Sequence, residues 1–99
     1  MRLSDSTRTI IRQTVTELFG PDARVLLYGS RVDDAARGGD IDLLVVLDQP
    51  QPDAARKALT LTARLQLRLG DQPIDVLVVD PSTRLQAVHE AALRQGVPV

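Results

Sequence analysis

Between Ser4 and Phe19 the apolar residues Ile10, Ile11, Val15, Leu18 and Phe19 return at helical spacing on one face. Ser4, Asp5 or Ser6 can cap the start of this helix, and Gly20-Pro21 ends it. The period then changes. Arg24 to Tyr28 reads as a buried strand, followed directly by Gly29-Ser30 and by a polar loop from Arg31 to Gly39. Ile41 to Leu47 reads as a second strand, and Leu43 to Leu47 are continuously apolar, as expected of a strand covered on both faces. Asp48-Gln49-Pro50-Gln51-Pro52 breaks the chain. Asp53 to Leu69 follows as a helix, with Ala54, Ala58, Leu61, Leu65 and Leu69 near one stripe and Arg56, Lys57, Arg64 and Arg68 toward water. After the turn at Gly70–Pro73 comes a third strand, Ile74 to Val79. Ser82 is then placed to cap a last helix, Thr83 to Arg94, with Leu85, Val88 and Ala92 as its apolar face, and Val97-Pro98-Val99 is a short tail.

The order α-β-β-α-β-α predicts an α/β (α+β) layer structure: a small mixed sheet of three to four strands flanked by helices, in one domain spanning residues 1–99. Only 2% of the residues are aromatic, Phe19 and Tyr28, so the core must rest on Leu, Val, Ile and Ala. A net charge of −1 and the lack of aromatic stacking platforms argue against direct nucleic-acid binding. There is no cysteine and one histidine, His89, which excludes thiolate and histidine-rich metal sites. The first residues lack the apolar centre of a signal peptide, and no apolar run approaches the roughly 20 residues that span a bilayer. The expected location is cytoplasmic, with no membrane contact.

Charge enters the picture at three strand positions. Asp40 and Asp42 flank Ile41 at the mouth of the second strand, and Asp75 lies within the third. Side chains alternate along a strand, so Asp40 and Asp42 point the same way, and Asp75 joins them if the two strands are neighbours. Singly, each is ordinarily a solvated strand-end residue or a cap. Together they repel one another and are costly to bury, and the strands offer no obvious cation to pair with them. Bound Mg²⁺ resolves this, because hard cations take oxygen ligands from carboxylates and substrate phosphates. Gly29-Ser30, directly after the first strand, adds a place where backbone can approach phosphate closely. It is neither a Walker P-loop nor a dinucleotide fingerprint, since the spacings of both are absent. Arg31 and Arg37 are suited to phosphate but lie near Asp33 and Asp34, and Arg31 has the better claim. Tyr28 reads first as core packing, with an acceptor or base-stacking role as the alternative, His89 as a solvated or interfacial helix residue, and the basic set on the second helix as its wet face or a match for an acidic partner.

The stretch from Gly29-Ser30 through the loop to Asp40-Ile41-Asp42-Leu43-Leu44-Val45 resembles the signature of the polymerase-beta-like nucleotidyltransferase superfamily, and the short chain resembles its minimal branch. The resemblance implies a palm-like nucleotidyltransferase fold. It also implies that Gly29 and Ser30, with Arg31 nearby, hold the triphosphate of ATP or another nucleoside triphosphate. By the same resemblance Asp40, Asp42 and Asp75 hold two Mg²⁺ ions, and Asp75 helps to deprotonate the acceptor hydroxyl, as in two-metal phosphoryl chemistry. Asp34 and Gly39 stand where many relatives carry Gly and Ser, and the loop is shorter than in many members. In 99 residues a second domain for the acceptor is not expected, so the acceptor is expected to be held by a partner protein, by a second copy of the chain or by its own surface. Minimal members are similar to antitoxins that adenylylate a small helical HEPN-type toxin, which implies a HEPN-type partner protein or self-association. The alternatives are a binding antitoxin or assembly subunit without catalysis, and a homodimer that modifies a small molecule of the aminoglycoside type.

Overall fold

A computed structural model describes residues 3–32 and 40–99, the side chain of Ser30 excepted. The first helix, α1 (Asp5–Phe19), starts where the Ser4 hydroxyl accepts the Thr7 N–H at 3.2 Å. That bond satisfies one of the N–H groups a helix start leaves unpaired. Ile11, Val15 and Phe19 are buried on its inner face, with Ile10 and Leu18 at the margin. Strand β1 (Arg24–Tyr28) leads into one turn of 3-10 helix, Gly29–Val32. Strand β2 (Ile41–Val46), helix α2 (Ala54–Leu69) and strand β3 (Ile74–Val79) follow, all within about a residue of the spans the periodicity predicts.

The sheet has the order β3-β2-β1-β4. β1 and β2 are antiparallel, whereas β2 and β3 are parallel and joined through α2. A parallel pair requires such a crossover, and here the helix supplies it. Helices α1 and α2 cover one face, where Val25, Leu27, Ile41, Leu43, Val45, Ile74 and the helix residues Ile11, Val15, Leu61 and Leu65 form the main core. The last helix, α3 (Ala87–Gln95), packs Ala92 against Leu44 and Val79 on the other face. Leu43, Leu44 and Val45 are all 0% exposed, as the unbroken apolar run of β2 requires. Between α1 and α2, Arg68 donates to the buried Thr14 hydroxyl at 2.7 Å and to Glu17 at 3.0 Å. The Arg68 hydrogen bond to Glu17, and then the charges of Arg68 and Arg64, hold the Glu17 carboxyl below the usual glutamate range.

Three expectations need correction. The last helix begins at Ala87, not Thr83. Asp80 takes the residues expected to start it: its carboxylate accepts the Ser82 N–H at 2.7 Å, and its own N–H donates to the Thr83 hydroxyl at 2.9 Å. Such local side-chain bonds compete with helix. His89, read as a solvated or interfacial helix residue, closes the true helix start by accepting the Gln86 N–H on Nδ1 at 3.0 Å. Leu85 then falls outside the helix and Val88 stays 48% exposed, so Ala92 alone of the three expected residues is buried. Finally, the tail supplies a strand, β4 (Val97–Pro98), antiparallel to β1 at Leu26 and Leu27.

Candidate active site

The carboxyl end of β1 meets the amino ends of β2 and β3. In that row Tyr28 stands opposite Asp42, and Asp42 stands opposite Asp75. Neighbouring strands lie about 4.8 Å apart, and residues in register share a face. The pairing therefore brings Asp42 and Asp75 together, though 33 positions separate them in the chain, as counted from their numbers. Asp40, just before β2, adds a third carboxylate on the same alternation. The row lies on the face that α3 shares, beyond the point where Ala92 covers Leu44 and Val79. Asp40 and Asp75 are exposed there and Asp42 is half-buried.

The 3-10 turn closes over this row. Gly29 has φ +79°, a left-handed conformation that side chains disfavour. A Cβ built on it would run into the Asp42 carboxylate, with Cγ at 3.3 Å and Oδ2 nearer still. The missing side chain is thus what allows backbone to lie against the carboxylate. Ser30 occupies the same turn through its backbone, and Arg31, half-buried, follows it. Asp33, Asp34, Arg37, Gly38 and Gly39 lie outside the described residues.

Partial burial, and then the charges of Asp75 and Asp40, raise the Asp42 carboxyl above the usual aspartate range. Burial, and then the charges of Asp42 and Asp75, likewise push the Tyr28 hydroxyl up. Tyr28 packs against the Leu44, Val79 and Ala92 cluster, in line with its reading as core packing, and feels the same negative field as well. Its signal was available in the alternation of β1, but only with the β1–β2 register in hand. The ion pairs of Lys57 with Asp53 and of Arg64 and Arg68 with Glu17 lie away from the row.

This electrostatic imbalance suits a divalent cation. The donors are hard oxygens, two of them on adjacent strands, and like-charge repulsion falls when a cation lies between them. Among the described residues no three acidic or histidine side chains are gathered tightly enough to hold an ion unaided.

The family comparison decides what this arrangement belongs to. A family model described as a nucleotidyltransferase domain matches residues 8–95. The chain belongs to this family. The match runs from the first turns of α1 to the end of α3, so it contains the turn, the row and the α2 crossover together. Membership in the nucleotidyltransferase family supports transfer of a nucleoside monophosphate as the general reaction, with a nucleoside triphosphate and a divalent metal as the usual requirements. No curated protein matches the chain. No helix among the described residues is long and apolar enough to cross a membrane.

Proposed function

We propose that this nucleotidyltransferase domain transfers AMP from ATP to a hydroxyl group of a partner protein, and that the partner is a HEPN-type toxin which the modification silences. The observation that carries the catalytic part is the register of Asp42 with Asp75 beside the side-chain-free Gly29. The backbone of Gly29 and Ser30 receives the triphosphate, with the Arg31 guanidinium close enough in sequence to assist. Asp40, Asp42 and Asp75 are the residues that would hold Mg²⁺, two ions in this reading. A metal held there would supply charge neutralisation at the phosphates and at the attacking and leaving oxygens.

The acceptor oxygen forms a bond to the α-phosphorus while the bond to pyrophosphate breaks. The acceptor proton passes to the Asp75 carboxylate, which is exposed and so open to an incoming hydroxyl. Asp42 is only half exposed and lies under Gly29, so its role is to position and to hold charge. Catalysis here rests on orientation and electrostatics, because phosphoryl transfer asks for little else from the protein.

The deciding experiment incubates the purified chain with Mg²⁺, α-labelled ATP and a lysate of its host, beside Asp40→Asn/Asp42→Asn. A labelled protein band with wild type alone supports the proposal and identifies the acceptor by mass spectrometry. Label on RNA or a small molecule keeps the reaction class and removes the toxin. No label with any nucleoside triphosphate, or with Mn²⁺, favours the second reading, a subunit that neutralises its partner by contact. The observation on that side is the absence, among the described residues, of a gathered three-residue metal cluster.

A further inference from the structure

The two edges of the sheet are finished differently. On one side it closes with β4, two residues long and ending in Pro98, the kind of blunt edge that discourages strand pairing. On the other, among the described residues, it ends at β3, six residues of which only Asp75 is charged. The ladder to β2 fixes where the β3 backbone points. Pro73 accepts the Ile41 N–H at 3.0 Å, and Val79 accepts the Leu47 N–H at 2.8 Å. Successive residues of a strand turn their N–H and C=O groups to opposite sides, so Pro73, Asp75, Leu77 and Val79 serve β2. Ile74, Val76 and Val78 present theirs outward, and no other backbone group among the described residues bonds to them.

Beside this edge α2 leaves a groove. Ala58, Leu59, Thr62 and Ala63 of the helix and Ile74 and Val76 of the strand line a space of about 390 Å³, which reaches Asp75. Leu59 is 75% exposed there, although Leu61 and Leu65 of the same helix are fully buried. Asp75 is the residue that the groove and the carboxylate row share.

We infer that a hydroxyl-bearing segment of the acceptor protein docks here as an added strand along β3. The inference rests on the reading of Asp75 as the group that meets the acceptor hydroxyl. A polypeptide carries alternating donors and acceptors at the strand repeat of about 3.3 Å per residue, which RNA and small molecules do not, so the open edge selects a peptide. Side chains alternate between faces whichever way the added strand runs. The residue in register with Asp75 then lies on the carboxylate face, with its hydroxyl beside Asp75. Its two neighbours fall on the face of Ile74 and Val76, where α2 packs, and enter the groove. The walls there are small or apolar, so those neighbours are apolar. The acceptor is thus a Ser, Thr or Tyr flanked on both sides by apolar residues in an extended segment.

The test displays short peptides with a central Ser, Thr or Tyr and random flanks, and selects them on the full chain with Mg²⁺. Selected peptides should carry apolar residues on both sides of the hydroxyl. In amide exchange they should protect the N–H groups of Ile74, Val76 and Val78 and leave those of Asp75 and Leu77, which face β2, unchanged. Val76→Pro removes one outward N–H without touching the β2 ladder, and Leu59→Glu puts a charge into the groove from an exposed helix position. Circular dichroism verifies that both are folded. Each should weaken peptide binding about tenfold or more while ATP binding stays at the wild-type level. Peptides that dock on β3 but take no label from α-labelled ATP would keep the docking site and remove the transfer reading. A lysate protein labelled at the wild-type rate by both variants would keep the transfer and overturn the docking site. Selection of no peptide, or protection away from β3, would also overturn it. So would edge protection that grows with protein concentration in the absence of peptide, which would mean that two copies pair their own edges.

Discussion

The two faces of the sheet are built by different rules. On the face covered by α1 and α2, strand residues and helix stripes interlock into a continuous apolar core. On the other, Ala92 of α3 meets Leu44 and Val79 in a smaller cluster edged by Leu26, Tyr28, Val46 and Leu77, and the open end beyond it carries Asp42 and Asp75. One face supplies fold stability, and the other uses that stability to hold repelling carboxylates side by side. The difference shows how a small domain can keep a strained charge cluster: β2 contributes to both faces, and its Leu43 and Val45 anchor the strand from behind while Asp42 faces forward.

The sharpest way to break this division is to cut into the packed face. Leu43→Ala leaves a cavity and should cost about 2–5 kcal/mol, lowering Tm by about 4–8 °C per kcal/mol, as read by thermal melts. A comparable loss from Asp75→Asn would show that the two faces are not separate. Metal gives the next effect. Mg²⁺ at a hundredfold excess over its Kd should stabilise the folded chain by about 2.7 kcal/mol. Asp42→Asn/Asp75→Asn should gain none of this, and a wild-type Tm indifferent to Mg²⁺ and Mn²⁺ would remove the metal from the site.

Gly29→Ala should cost about 1–3 kcal/mol, because it combines a left-handed backbone with a collision at Asp42. Chemical denaturation measures it, and a neutral result would mean that the turn yields easily. The smallest effect is in pH. The folded state raises the Asp42 carboxyl above its ordinary value, so it binds the proton more tightly than the unfolded chain does. The stability from Asp42 is therefore full below the usual aspartate value of about 3.9 and is lost as pH rises through its raised value. Asp42→Asn should match wild type in acid and exceed it near neutrality, by less than about 1 kcal/mol because water screens a partly open group. A gain that grows toward low pH would reverse the sign of the proposed repulsion.

Much of the packed face is legible in the sequence because a single periodicity dictates it: Ile11, Val15 and Phe19 on α1, Leu61 and Leu65 on α2, and the run Leu43–Leu47 on β2. The open face is less legible because it depends on register. The side on which Asp42 lies follows from alternation, but its neighbour Asp75 follows from a parallel pairing that forms only when α2 crosses over. Tyr28 enters the row for the same tertiary reason. The start of α3 is hidden by local competition at Asp80, and β4 by its brevity and by Pro98, a residue confined to sheet edges. Leu59 and Leu67 carry the opposite lesson. They fit no stripe buried within the chain, and their periodicity is their own.

The contact between Gly29 and Asp42 also bears on how this protein can vary. A methyl group at residue 29 needs the volume that the Asp42 carboxylate fills, so the two positions form one unit of change. In a library randomised at both, survivors with a side chain at residue 29 should carry a shorter residue at 42, and a two-step path between such pairs should pass through an unfit intermediate. Inheritance at these two sites is then linked by geometry, although twelve residues of sequence lie between them.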